Sequence, residues 1–374
     1  MHCHVVNLQP HLLGAEVYTI FFVRALKACG CTVTLYAHPH ARHWAGLEGS
    51  GVRMVRVASD AQIAPQLTKR SWLVTHAPVS AEFVAATHTR HLLTGFCHMP
   101  LTGRSPGHLE QYALVYAVSQ HVLSTLPAAG VPHAYAEALY GVAEFDRFGA
   151  GSADTQRAGS SYSWDTRKLR DRVFSWFEPW YAALKPAAPF ARAPGLTLGI
   201  VSALGPIKQF DVLFRIIAPL MAARPTVNLE IFGSGGYRSV TDLRQALKPL
   251  GKCARFWGRQ QHPELIYPKL DYLMSGLPEK EALGLNIIEA QVLGTPVLAV
   301  KAAPFTETVA DGSTGYLYRD PREDGGVDFA RVLDRALTEP RLQPHTAPAH
   351  LARFSQASFN DRVARLVADA ATRL

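Results

Sequence analysis

The chain has 374 residues, two to three times an ordinary domain, so two domains with separate cores are expected and a small stapled scaffold is excluded. With 48% hydrophobic and 18% charged residues, it has the composition of a globular protein and not of a disordered or fibrous one. A formal charge of +8 favours an anionic partner such as a sugar nucleotide or a lipid headgroup. Nucleic acid is not expected, because the basic residues are dispersed and no recognisable binding module appears.

No run of 18 consecutive apolar residues occurs, so no membrane-spanning helix is expected. The opening MHCHVVNLQPHLLGAE lacks the basic end, apolar centre and cleavage site of a secretion signal, which predicts a cytoplasmic protein. Five cysteines without a C-x-x-C pair read as reduced thiols.

In chain order, short runs rich in Val, Leu, Tyr and Thr predict strands over residues 2–8, 31–36, 52–57, 72–76, 91–98 and 114–119. Between the first two, Val17, Ile20, Phe21, Val23 and Leu26 recur at helical spacing and Gly30 follows, predicting a helix over 15–29. Strand, helix and strand at this spacing imply a parallel sheet. From Gly149 the composition turns small and polar, and a basic, aromatic helix is expected over 164–186. Its Arg167, Lys168, Arg170 and Arg172 stand beside Phe174, Trp176, Phe177, Trp180 and Tyr181. Such a mixture suits either packing onto a domain or a membrane surface. The alternation restarts with strands at 196–203, 227–232, 254–257, 271–274 and 296–300, and helices near 211–223 and 240–250. The expected organisation is α/β: a first domain over 1–150, a linker over 151–195, a second domain over 196–345, and a helical segment over 346–374 packing back toward the first domain.

The most informative stretch is 271–318. Glu281 and Glu289 flank Leu283-Gly284-Leu285, followed by Ala290, Gly294 and Pro296 and then by Glu307, Val309, Asp311, Gly312 and Gly315. This cassette resembles the nucleotide-sugar signature of retaining glycosyltransferases of family 4, the group 1 glycosyl transferases. There E-x7-E is followed by A-x-x-x-G-x-P and E-x-V-x-D-G-x-x-G. The resemblance implies a GT-B fold, in which two Rossmann-like domains face each other across a cleft. It also implies transfer of a hexose from a nucleotide-diphosphate sugar to a saccharide or lipid-linked acceptor. Glu289 is then expected on the ribose, Glu281 on the hexose, and Leu283, Gly284 and Leu285 beside the sugar or diphosphate at a helix start, where the dipole favours negative charge.

Further pieces resemble the same family. In LGIVSALGPIKQFDVL, Lys208 takes the place of the family's diphosphate-binding lysine, while Ala203 replaces its arginine and Gln209 its glycine. Gly233 and Gly235 resemble its G-x-G turn near the nucleotide. Gly14, Ala15 and Glu16 resemble the end of its G-G-x-E loop, with Leu13 for the first glycine; Gly14 and Ala15 are expected near the donor, Glu16 and Arg104 near the acceptor. His98, in C-H-M-P at a strand end, is expected to hydrogen-bond the hexose or help the acceptor lose its proton. His98, Lys208 and Glu281 are the expected catalytic group.

Neither a metal nor another cofactor is expected: His2-x-His4 and His38-x-His40-x-x-His43 lack a fuller ligand set. A peripheral membrane contact is an expected partner surface. Ala203 and Leu13 leave open a catalytically weakened, sugar-nucleotide-binding scaffold of the same fold. A nicotinamide dehydrogenase would need G-x-G-x-x-G after the first strand, and residues 7–16 do not supply it.

Overall fold

The computed structural model describes residues 1–11, 14–47, 49–143, 159–164, 168–184 and 190–374, with the backbone alone at 170, 178, 179 and 181–184. Leu13, Arg167 and linker residues 151–158 lie outside the described residues. The strands are β1 His2–Asn7, β2 Thr32–Ala37, β3 Arg53–Arg56, β4 Trp72–Thr75, β5 Leu92–Cys97, β6 Leu114–Ala117, β7 Leu196–Val201, β8 Val227–Phe232, β9 Ala254–Phe256, β10 Tyr272–Met274, β11 Val297–Val300 and β12 Gly315–Tyr318. The α-helices are α1 Gly14–Ala28, α2 Ala81–Thr87, α3 Gln120–Thr125, α4 Leu169–Leu184, α5 Phe210–Ala222, α6 Tyr237–Ala246, α7 Leu285–Val292, α8 Phe305–Thr308, α9 Pro321–Asp324, α10 Val327–Thr338, α11 Pro348–Ala352 and α12 Gln356–Arg373. The chain divides into two compact units, residues 1–147 with 352–374, and residues 148–351.

In the first unit six parallel strands run in the order β3-β2-β1-β4-β5-β6. Helical crossovers cover both faces of such a sheet, so the inner strands are apolar along their whole length. Accordingly β4 and β5 are buried at every position. The two polar exceptions are satisfied internally: Thr94 accepts from Trp72 Nε1 at 2.9 Å and donates to the Leu73 carbonyl at 2.9 Å, and Thr75 donates to the Tyr112 hydroxyl at 3.1 Å. Helix α1 buries Phe21, Phe22, Val23 and Leu26 and ends where Gly30 turns left-handed at φ 74°. Against α1 packs α12, whose buried Phe359, Val363, Leu366 and Ala370 recur at helical spacing. The helix expected from residue 15 begins at Gly14, so residues 14–16, which resemble the end of the family's loop, are the first turn of α1.

The second unit repeats the topology. Its order β12-β11-β10-β7-β8-β9 is that of the first sheet when its strands are renumbered in turn. Glu230 on β8 is fully buried and faces Arg255 on β9, whose Nε lies 3.0 Å from both carboxylate oxygens; Trp257 Nε1 adds a bond of 2.6 Å. A buried carboxylate is tolerable only when paired and hydrogen-bonded in this way. The helix expected to run to residue 250 stops at Ala246, and a 3-10 turn follows over Lys248–Cys253, because Pro249 has no amide to continue the ladder. Strand β12 was not expected.

Among the described residues, Gln209 is the one non-glycine with positive φ, at φ 50° and ψ 35° where α5 begins. A side chain in this region costs about 1–2 kcal/mol, which accounts for the glycine that the resembling family carries here. Gln209→Gly is therefore expected to stabilise the protein by about 0.5–1 kcal/mol after the larger chain entropy of glycine is subtracted. Urea unfolding of the two proteins checks this, and a less stable variant contradicts it.

Candidate active site

In both sheets the connections reverse direction between two central strands, β1 and β4 in one and β7 and β10 in the other. The carboxyl ends of such a strand pair are where doubly wound folds bind ligands. In the second unit, the segment after β7 and the segment after β10 are stitched together there. The Leu277 amide donates to the Lys208 carbonyl at 3.0 Å, and Asn286 Nδ2 donates to the Val201 carbonyl at 3.2 Å. Lys208 Nζ donates to Glu281 Oε2, joining two expected site residues 73 positions apart. Their side chains are only 20% and 14% exposed, so each compensates the other's charge in a partly desolvated place. Ala203 sits on the same β7 segment and adds no charge.

Gly284 then caps α7 in a left-handed conformation, φ 81° and ψ 60°, which a side chain would strain. The amides of Leu285 and Asn286 precede the first intrahelical carbonyl partner and lie at the positive end of the helix dipole. Leu283 is buried, so its backbone is what the loop can present. One turn into α7, Glu289 is 7% exposed and its Oε2 accepts from the Tyr267 hydroxyl at 2.9 Å. Tyr267 is held in turn, its carbonyl accepting from Thr295 Oγ1 at 2.5 Å. After β8, the Gly233 amide donates to the Gly258 carbonyl at 2.8 Å and the Gly235 amide to the Ser161 carbonyl at 3.0 Å. A Cβ on Gly235 would lie 2.1 Å from the Leu204 carbonyl oxygen, so the glycine is demanded by close backbone approach. With both amides engaged, this turn contributes shape rather than free donors.

The first unit places His76 after β4 and His98 after β5, with His76 Nδ1 and His98 Nε2 3.2 Å apart. Phe96 stacks on His76 at 4.5 Å, and Tyr18 of α1 meets His98 edge-on at 5.2 Å. Desolvation pushes the His98 pKa down to about 3 and lowers that of His76 well below its usual value. Both rings are neutral at physiological pH. His76 Nε2 is buried without a partner. An orphaned buried N–H is rarer in folded proteins than an under-satisfied acceptor, so the favoured tautomer has His76 Nδ1–H donating to His98 Nε2. His98 then carries its own proton on Nδ1. So weak a base abstracts protons poorly; of its two expected roles, the geometry favours hydrogen bonding.

Asn7, the last residue of β1, donates to Glu16 Oε1 at 3.3 Å and to Thr19 Oγ1 at 3.0 Å. Glu16 is 2% exposed, a carboxylate turned into the unit beside the α1 start, with Gly14 and Ala15 preceding it. Arg104 stands exposed in the turn after β5. His2 and His4 stack at 4.1 Å, and burial lowers His4 to about 4; His2 bonds Thr34 Oγ1 at 2.9 Å. The histidine repeat at the chain start is thus built into the sheet. His76 and Tyr267 were not singled out from the sequence; only the strand-end position of His76 could have marked it.

Residues 195–339 match the family described as Glycosyl transferases group 1. The second unit is a group 1 glycosyl transferase domain. The chain is 32% identical over 194 residues to the D-inositol 3-phosphate glycosyltransferase of Stackebrandtia nassauensis, covering 48% of this chain and 42% of that protein. It is 33% identical over 148 residues to the GDP-mannose-dependent monoacylated alpha-(1-6)-phosphatidylinositol monomannoside mannosyltransferase of Corynebacterium glutamicum, covering 37% of each. The chain thus spans less than half the length of these curated relatives. Over 99% of its length it superposes on all of Anabaena HepE, solved in complex with UDP, with a TM-score of 0.68 at 18% identity. The fold of the chain is GT-B.

Two outcomes test the site. Because His98 and His4 bind protons more readily unfolded than folded, stability is full above about pH 6.5 and falls as the pH drops toward 4. Each histidine contributes a slope of up to about 1.4 kcal/mol per pH unit. Urea titrations at pH 7, 6 and 5 should show a shallower fall for His98→Asn than for the parent protein; parallel curves would remove the depressed imidazole. Tyr267→Phe should cost about 1–2 kcal/mol, because it strips a partner from a buried carboxylate; calorimetry measures it, and an unchanged melting temperature argues against the bond.

Proposed function

We propose that the protein is a retaining hexosyltransferase. It moves a hexose from a nucleotide-diphosphate sugar to a hydroxyl of a saccharide or lipid-linked acceptor, in glycan or polysaccharide synthesis at the cytoplasmic face of a membrane. The observation that carries this reading is the Lys208–Glu281 pair beside the N-terminus of α7. A pair built from the residues that the resemblance assigns to diphosphate and hexose behaves as a resting state. The donor's diphosphate takes Lys208, and Glu281 is released to accept hydrogen bonds from the hexose hydroxyls. Glu289, kept in place by Tyr267, takes the ribose hydroxyls. The UDP bound by HepE and the activities named for the two relatives support a nucleotide-sugar donor.

The bond between the anomeric carbon and the diphosphate oxygen breaks, and its electron pair leaves with the diphosphate. Lys208 and the α7 amides stabilise that charge. The acceptor oxygen forms its bond on the same face of the sugar, and its proton passes to the departing phosphate oxygen, so no protein nucleophile is used. Charge handling is assigned to these groups and to no metal or cofactor. The first unit takes the acceptor, with Glu16 and Arg104 in its region and neutral His98 hydrogen-bonding the transferred hexose. The lone loop cation left by Ala203 favours a second reading, a sugar-nucleotide-binding scaffold with weak turnover.

Calorimetry with UDP and GDP tests the exchange of partners. Lys208→Ala should weaken nucleoside-diphosphate binding about tenfold, the scale of one charged hydrogen bond. Glu281→Gln should strengthen it severalfold, because the competing carboxylate is gone, while hexose transfer falls. Retention is read from the anomeric coupling constant of the product by NMR. Donor binding without turnover would favour the scaffold, and binding indifferent to both substitutions would move the diphosphate elsewhere.

A further inference from the structure

Helix α4 turns an apolar stripe to solvent. Leu169, Val173, Trp176, Phe177 and Trp180 follow one another at steps of four, three, one and three residues, which places them on one face. They are 68, 47, 71, 55 and 73% exposed. Asp171, across the helix, is 3% exposed. The helix already has an anchor on its own unit: Phe174 stacks on Trp164 at 5.7 Å, and Trp164 stacks on Tyr162 at 5.0 Å. The stripe is therefore surplus to the packing of the unit, and a contiguous exposed apolar patch of this kind marks an interaction surface.

Charge identifies the partner. Lys168 and Arg172 are exposed at the N-terminal end of α4, where the helix dipole is itself positive and disfavours cations. Two tryptophans along a flat stripe, with cations concentrated at one end, suit the headgroup region of a bilayer carrying negative charge. We propose that α4 lies in the plane of an anionic membrane, with Trp176, Phe177 and Trp180 at the acyl boundary and Lys168 and Arg172 on lipid phosphates. This names the element and the lipid charge behind the peripheral placement in the function proposed above, and rests on that placement.

The test is co-sedimentation of the full chain with vesicles of phosphatidylcholine alone or with phosphatidylglycerol added. Trp176→Ser/Trp180→Ser and Arg172→Glu variants are compared, with circular dichroism to confirm folding at these exposed positions. The parent protein should partition at least about tenfold more strongly onto the phosphatidylglycerol vesicles. The double tryptophan variant should lose about tenfold or more of that binding, and Arg172→Glu should lose severalfold together with much of the salt dependence. Binding retained by the double variant overturns the role of α4 while leaving the membrane placement standing. No binding to either vesicle overturns both. A dimer in sedimentation equilibrium that the tryptophan substitutions dissociate, without vesicle binding, assigns the stripe to a second copy of the chain. UDP calorimetry on the same samples reports the donor site separately.

Discussion

A parallel sheet whose connections reverse between two central strands leaves polar loop ends with no strand to pair them, and both units of this protein must fill that gap. They fill it with opposite chemistry. In the second unit the gap holds an ion pair, Lys208 with Glu281, at the foot of a helix dipole. In the first it holds Asn7 against the buried Glu16 carboxylate, and two imidazoles that desolvation keeps uncharged. The same strand order therefore yields one place suited to an anion and one suited to uncharged hydroxyls. That division underlies the proposed assignment of a diphosphate donor to one unit and a sugar acceptor to the other.

In the proposed function the ion pair also explains how a site for a diphosphate survives without its ligand. An isolated lysine at that depth would be poorly solvated, and so would the glutamate. Paired, they offset each other until a stronger partner arrives, and the backbone bond from Leu277 to the Lys208 carbonyl keeps the two loops in register meanwhile. Diphosphate binding as proposed exchanges one salt bridge for another instead of creating a charge contact from nothing. The expected loss on removing the lysine is accordingly modest, and removing the glutamate moves affinity in the opposite direction.

Most of the strands are buried along their length and write themselves into the sequence as apolar runs, and of the twelve strands among the described residues eleven were legible to within two residues at either end. β12 was hidden because its Gly315 closes a D-G-x-x-G turn and reads as loop. The end of α6 was hidden by Leu247 and Leu250, which continue the apolar period past a proline that stops the helix. The site was legible in a different sense. No spacing rule relates Lys208 to Glu281, because their contact depends on β7 lying beside β10; the identities of both came through the family resemblance. Tyr267 and His76 carried no motif at all, one lying in a short 3-10 turn and the other being one of 16 histidines. Their roles appear only when the fold brings each to its partner. For α4 the sequence offered two readings; in the structure Phe174 stacks on Trp164 while remaining half-exposed, and Trp176 and Trp180 face solvent.

The loop that carries Lys208 departs twice from the pattern it resembles, and the departures are linked. Ala203 removes a cation, and Gln209 puts a side chain where the backbone must turn left-handed. Strain of this kind persists only where the surroundings over-determine the conformation. Here they do so on both sides of the lysine: the Lys208 carbonyl is bound by Leu277, its ammonium by Glu281, and the Lys208 amide by the Gly205 carbonyl at 3.1 Å. The geometry that a glycine would supply at no steric cost is imposed instead by three contacts on its neighbour. A donor that takes the ammonium away from Glu281 loosens one of those contacts. In the proposed function, ligand exchange at the ion pair and relief of strain at Gln209 are thus coupled through a single residue.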